Sequence, residues 1–240
     1  PQLSAYDEDW NDISNFREAL EENEEISYNV SAILSNPAVL DDISNPSSSL
    51  LVIAGTESPY TNLELEILVR FMENGGSILV LGDYDYSNTI AQLFDIEFVQ
   101  NKLWDQNYKG NVSLIQTTAY LGPSQSYSVL LNDPVAIKEM RDPQSKEVGW
   151  TGNVVWSQNE LMKTSKNSWI DSDNDGAITP DDEAAPVSGF WLGIEYGIRT
   201  TDGENLGSAV FISDSSIGIN HMWNEAQNSE FLIALVAKIL

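Results

Sequence analysis

The stretch from Leu50 to Phe94 constrains the fold more than any other part of the chain. Leu50-Leu51-Val52-Ile53-Ala54 is a continuous apolar run ending at Gly55, the pattern of a strand buried on both faces. Thr61-Asn62-Leu63-Glu64 then reads as a capping box, in which hydroxyl and carboxylate satisfy opposing backbone donors at a helix start. Leu65, Leu68, Val69 and Met72 recur at i, i+3, i+4 and i+7 as one apolar stripe. Asn74-Gly75-Gly76 stops that helix, because the chain can turn left-handed there without a Cβ clash. Ser77 to Leu81 is a second buried strand ending at Gly82-Asp83, and Asn88 to Phe94 opens the next helix. Strand, helix, strand in this rhythm predicts parallel pairing through a right-handed crossover, hence an α/β core.

Weaker patterns flank this unit. Leu3 to Tyr6 reads as a short strand, Ile13 to Glu22 as a helix with Ile13, Phe16, Arg17 and Leu20 on one face, and Ile26, Tyr28 and Val30 as an alternating strand. Residues 100 to 190 are rich in Asn, Ser, Gly and Pro, with isolated runs such as Val112 to Ile115 and Val154 to Trp156. They read as a loop-rich insertion into one domain spanning residues 1–240. Periodicity returns at Trp191 to Ile198 and Ser208 to Ile212. A closing helix follows from Ser229 to Leu240, with Phe231, Leu232, Leu235, Val236 and Ile239 turned inward.

Charge narrows the partners. Thirty-seven Asp and Glu against eleven Lys and Arg leave a net charge of -26, a field that repels nucleic acid and anionic lipid and attracts cations. With no cysteine there are no disulfides, thiolate metal sites or cysteine nucleophiles, and the single histidine, His221, excludes a multi-histidine metal site. No apolar run approaches the roughly 18 residues that span a bilayer, so this segment is not expected to insert into a membrane itself. The chain opens at Pro1 and stops within an apolar helical pattern, which suggests the soluble part of a membrane-anchored protein.

Asp171-Ser172-Asp173-Asn174-Asp175-Gly176-Ala177-Ile178-Thr179-Pro180-Asp181-Asp182 carries the chemistry. Calcium takes six to eight oxygens at about 2.3–2.6 Å, and a tight loop delivers them from alternating positions. Asp171, Asp173 and Asp175 stand at one, three and five, Gly176 at the turn, the Ala177 carbonyl at seven and Thr179 at nine. Ile178 is placed to anchor the loop in the core. Asp182 occupies position twelve and Glu183 follows it, so either can complete the site. The spacing resembles EF-hand-type loops found singly in extracellular and dockerin-like modules. The competing reading is an Asp/Asn/Gly turn that bonds only its own backbone.

In open parallel sheets ligands collect beyond the carboxyl ends of the strands. That places Asp7, Glu8, Glu57, Asp83, Tyr84, Asp85, Asp214 and Asn220 on an acidic and aromatic rim. The stretch from Leu50 to Phe94, together with Tyr6-Asp7-Glu8-Asp9-Trp10-Asn11-Asp12 and Ser213-Asp214-Ser215-Ser216-Ile217-Gly218-Ile219-Asn220, resembles the class I glutamine amidotransferase-like superfamily. Within it, these segments resemble an uncharacterised membrane-anchored archaeal and bacterial branch related to transport-auxiliary and intraflagellar-transport domains. The resemblance implies a flavodoxin-like layered α/β fold with a mainly parallel sheet. It implies no amidotransferase activity, because the turn after the relevant strand reads Leu81-Gly82-Asp83-Tyr84 where that chemistry needs a cysteine.

The expectation is therefore a non-catalytic extracellular or envelope module with one structural calcium, binding a protein, a glycan or an envelope component through the rim. The alternative is a hydrolase acting there with Asp83, Asp214 and His221.

Overall fold

A computed structural model describes residues 3–23, 28–33, 37–83, 85–106, 113–140, 149–150 and 154–240. In chain order the elements are α1 (Ser14–Glu21), β1 (Leu50–Ala54), α2 (Asn62–Glu73), β2 (Ser77–Leu81), α3 (Asn88–Ala91), β3 (Ile96–Phe98), β4 (Lys102–Asp105), β5 (Leu114–Gly122) and β6 (Gln125–Asn132). Then come β7 (Ile137–Glu139), β8 (Val154–Lys163), β9 (Ser168–Asp171), β10 (Glu183–Ala184), β11 (Trp191–Thr200), β12 (Asn205–Ile212) and α4 (Asn228–Ile239).

The unit around α2 forms as its residues dictate. The Thr61 hydroxyl accepts from the Glu64 N–H at 3.4 Å while Glu64 Oε2 accepts from the Thr61 N–H at 2.8 Å. The helix ends at Asn74, and Gly75 takes the left-handed turn at φ 96°. β1 and β2 pair in parallel, and β2 pairs in parallel with β12. Alternate residues of β2 and β12 enter opposite cores. Leu79, Leu81, Val210 and Ile212 meet Phe231, Leu232 and Leu235 of α4. Ile78, Val80, Ala209 and Phe211 meet Leu68, Val69 and Met72 of α2.

Beyond β12 the sheet changes character. β12 pairs antiparallel with β11, β11 with β8 and β7, and β7 with β3. The β10-β9-β4 sheet and the β5–β6 hairpin are antiparallel throughout. This corrects the expected flavodoxin-like fold with a mainly parallel sheet, since among the described residues parallel pairing is confined to β1, β2 and β12. The cause lies in the connection between β11 and β12. The Thr200 N–H donates to the Glu204 carbonyl at 2.9 Å and Gly203 adopts φ 95°, and so tight a turn returns the chain antiparallel.

Two N-terminal strands are also corrected. Leu3 has a left-handed φ of 68° and residues 3–6 bend instead of extending. Ile26 lies outside the described residues, and residues 28–30 carry no strand. Tyr28 and Val30 pack against the core without pairing. Segment 100–190 holds more strand than expected: β8 pairs along β11 from Lys163 opposite Trp191 to Val154 opposite Thr200, while Val112 lies outside the described residues. No helix among the described residues is long and apolar enough to cross a membrane.

One edge is closed by side chains. Along the outer edge of β6, the N–H groups of Ser128, Leu130 and Asn132 donate to Gln227 Oε1, Asn228 Oδ1 and Asp214 Oδ2, at 2.9, 2.9 and 2.8 Å. The Ser128 and Leu130 carbonyls accept from the Gln227 N–H and Asn228 Nδ2, at 2.8 and 2.9 Å. Asn228 has no exposed surface, so its amide acts as a built-in peptide group of a missing neighbour strand.

Candidate metal centre

The three-stranded β10-β9-β4 sheet delivers the acidic loop. β9 ends at Asp171, which is 1% exposed, and the chain then bulges outward through Asp173 and Asp175 before returning at Asp182. Left-handed Asn174 (φ 60°) and Gly176 (φ 76°) make that reversal possible. Asp171, Asp173, Asp175 and Asp182 each present a carboxylate oxygen, and these oxygens lie within 4.8 Å of one another.

Backbone donors hold the carboxylates in place. Asp171 accepts from the Asp175 N–H at 3.2 Å and the Gly176 N–H at 3.0 Å, and Asp175 accepts from the Ala177 N–H at 2.7 Å. Asp182 accepts from the Ser172 and Thr179 N–H groups, both at 2.8 Å, while the Thr179 hydroxyl donates to Asp182 at 3.2 Å. Burial raises the Asp171 carboxyl, but the Gly176 N–H, the Trp104 indole and further backbone donors outweigh it and hold it below the usual range. Asp173 moves the opposite way. Burial pushes it up, the negative charges of Asp175, Asp182 and Asp171 push it further, and the Asp175 N–H only partly offsets them. Carboxylates crowded this closely repel one another, and a hard divalent cation is the natural counterion.

The two acids that end the loop take different places. Asp182 joins the group, whereas Glu183 sits on β10 paired with Lys138. Ile178 departs from expectation, being 55% exposed instead of anchoring the loop in the core. Trp104 on β4 takes over the anchoring, its indole N–H donating to Asp171 Oδ2 at 3.0 Å and its ring stacking on Trp169 at 6.2 Å. Sixty-seven positions separate Trp104 from Asp171, and no local pattern links them.

The strand-end rim is less open than its sequence suggests. Asp7, Glu8 and Glu57 are exposed, but Asp214 is 1% exposed and occupied by the Asn132 N–H and by Ser216. Asn220 is spent on structure, accepting from the Asn15 N–H at 3.0 Å and donating to the Asp9 carbonyl at 2.8 Å. Tyr84 and the Asp85 side chain lie outside the described residues. Asp83 is half-buried and accepts from the Ser215 hydroxyl at 2.7 Å. His221 is exposed, its N–H donating to the Trp10 carbonyl at 2.9 Å and its ring edge-on to Trp10. Among the described residues no hydrogen bond joins His221 to Asp83 or Asp214.

A family model described as "Domain of unknown function (DUF4350)" matches residues 5–236. The chain belongs to the DUF4350 family. No curated protein matches it. Among solved structures, the DUF4350 chain is similar to the mmIFT52 N-terminal domain at 12% identity and a TM-score of 0.61, over 93% of this chain and 87% of that one. At such identity the likeness shows the fold alone. The exo-beta-1,4-mannosidase Op5Man5 from Opitutaceae bacterium strain TAV5 has a TM-score of 0.47 and 12% identity, with 95% of this chain and 31% of that chain covered, and carries no argument. Neither the family model nor the likeness to the mmIFT52 N-terminal domain points to a glutamine amidotransferase, so that resemblance is corrected. Its residues misled because a buried strand, a capped helix and a glycine stop are needed by any parallel βαβ unit, whatever fold surrounds it.

Proposed function

We propose that this DUF4350 chain is a non-catalytic binding module of the cell exterior or envelope, stabilised by one structural calcium ion. Asp171, Asp173, Asp175 and Asp182 hold the ion, with the Ala177 carbonyl and Thr179 supplying further oxygens. The observation that carries this reading is the convergence of four carboxylates within 4.8 Å on a loop whose backbone already orients them. An exposed loop with aspartate in place of a bidentate glutamate at its twelfth position suits the weak, roughly 10⁻⁴–10⁻³ M affinities of extracellular calcium modules. A hydrolase at the strand ends is disfavoured, because His221 packs on Trp10 and Asp214 is closed off from solvent.

Calorimetric titration of chelator-treated protein tests this directly. One calcium per chain is expected, with binding abolished by Asp173→Asn combined with Asp175→Asn. Absence of binding heat up to about 10 mM calcium, an order of magnitude above the weak end of that affinity range, would sink the calcium reading.

A further inference from the structure

Residues 4–12 form a hook that is tied down along its whole length. The Ser4 N–H donates to Asp12 Oδ1 at 2.7 Å, and Ser4 Oγ accepts from the Tyr6 and Asp7 N–H groups at 3.2 and 3.3 Å. The Asp12 N–H closes onto the Asp9 carbonyl at 3.1 Å, and the Ile13 N–H onto the Ser4 carbonyl at 2.9 Å. Distant elements clamp it from outside. Arg17 Nε donates to the Ala5 carbonyl at 2.8 Å, Asn220 Nδ2 to the Asp9 carbonyl at 2.8 Å, and the His221 N–H to the Trp10 carbonyl at 2.9 Å.

What this framework holds up faces water. Trp10 is 68% exposed and Tyr6 55%, with Asp7, Glu8 and Asp9 exposed between them. Tryptophan has much to gain from burial, so a fixed tryptophan left outside stabilises little within its own chain. Arg17, the cation beside the hook, lies 5.2 Å from the Tyr6 ring and is paired with Glu18 and Glu21.

We infer that the Tyr6–Trp10 hook is a docking surface for a lysine- or arginine-rich segment of a partner protein. Three consecutive carboxylates beside an indole face match a cationic side chain, which gains both charge pairing and a cation–π contact. The loop is already ordered, so docking costs little conformational entropy. Exposed tryptophan is the residue type most often dominant at protein interfaces, and the net charge of -26 draws such a partner in from a distance. A neutral glycan would stack on the rings but gain no charge pairing from Asp7, Glu8 and Asp9.

The test is binding of a fluorescein-labelled hexa-arginine peptide at physiological salt, followed by anisotropy. Trp10→Ala, which leaves the net charge unchanged, and Asp7→Asn/Glu8→Gln/Asp9→Asn are each expected to weaken binding about tenfold or more. A control with the same charge change at other exposed positions, Asp42→Asn/Asp202→Asn/Glu204→Gln, is expected to weaken it less than about twofold, as for diffuse screening. Equal weakening by the two triple variants, or unaltered binding by Trp10→Ala, would show attraction to net charge alone and overturn the inference. So would Trp10-dependent retention on neutral glycans without peptide binding. Calcium and peptide binding are separable: a protein that binds the peptide but no calcium loses only the metal reading.

Discussion

Asp214 shows how one buried carboxyl ties distant segments together. Burial raises it and nearby Asp83 raises it further, against the lowering effect of the Ser216 and Asn132 donors, so that it titrates at about 6 instead of 3.8. A raised folded-state value means that the native state holds the proton more tightly than the unfolded chain. The associated stability is therefore full below about pH 4 and lost as pH rises towards 6. Relative to the unaltered protein, Asp214→Asn should gain roughly 2–3 kcal/mol across that window, read from urea unfolding at a series of pH values. At the metal loop the sign favours calcium at higher pH. The Asp173 proton must leave before the ion binds, and its raised value should make affinity start to fall at a higher pH than an ordinary aspartate would dictate. Calcium titrations at pH 7, 6 and 5 would show this, and Asp173→Asn would remove it. At this scale the spacing of Asp171, Asp173 and Asp175 was legible because loop ligands are local in sequence. Trp104 was not, because the contact that fixes Asp171 crosses two strands.

Among the elements, α2 was legible to its last residue, since the stripe lies within the helix and the cap and stop adjoin its two ends. Removing the capping hydroxyl with Thr61→Ala should cost about 1 kcal/mol, seen as a lower unfolding midpoint with an unchanged slope in denaturant. β8 was largely hidden. Its sequence Val-Val-Trp-Ser-Gln-Asn-Glu-Leu-Met-Lys buries only Leu161 and Met162, so the apolar alternation that marks a half-buried strand is missing. Its place is set by nine paired positions along β11, which no local window contains. The same holds for the sheet as a whole. The parallel pair β1–β2 announces itself through α2, while the antiparallel half depends on turns and partners far apart in sequence.

For the molecule as a whole, the excess of acid is the dominant long-range force. Thirty-seven carboxylates against eleven cations repel one another in the compact state, so added sodium chloride should raise the melting temperature before any specific ion does. Calcium should act beyond that screening. At a hundredfold its dissociation constant it stabilises by about 2.7 kcal/mol, which for a chain of 240 residues is a rise of roughly 5–11 °C by scanning calorimetry at constant ionic strength. Sodium at matched ionic strength should not reproduce the rise.

The amide groups of Gln227 and Asn228 along β6 carry a consequence for crowded solutions. A hairpin packed on a core but bare along one side is an invitation to a second molecule to extend the sheet, and repetition of that step makes fibres. Here the start of α4 occupies the seat first, so the chain itself supplies the stopper against polymerisation.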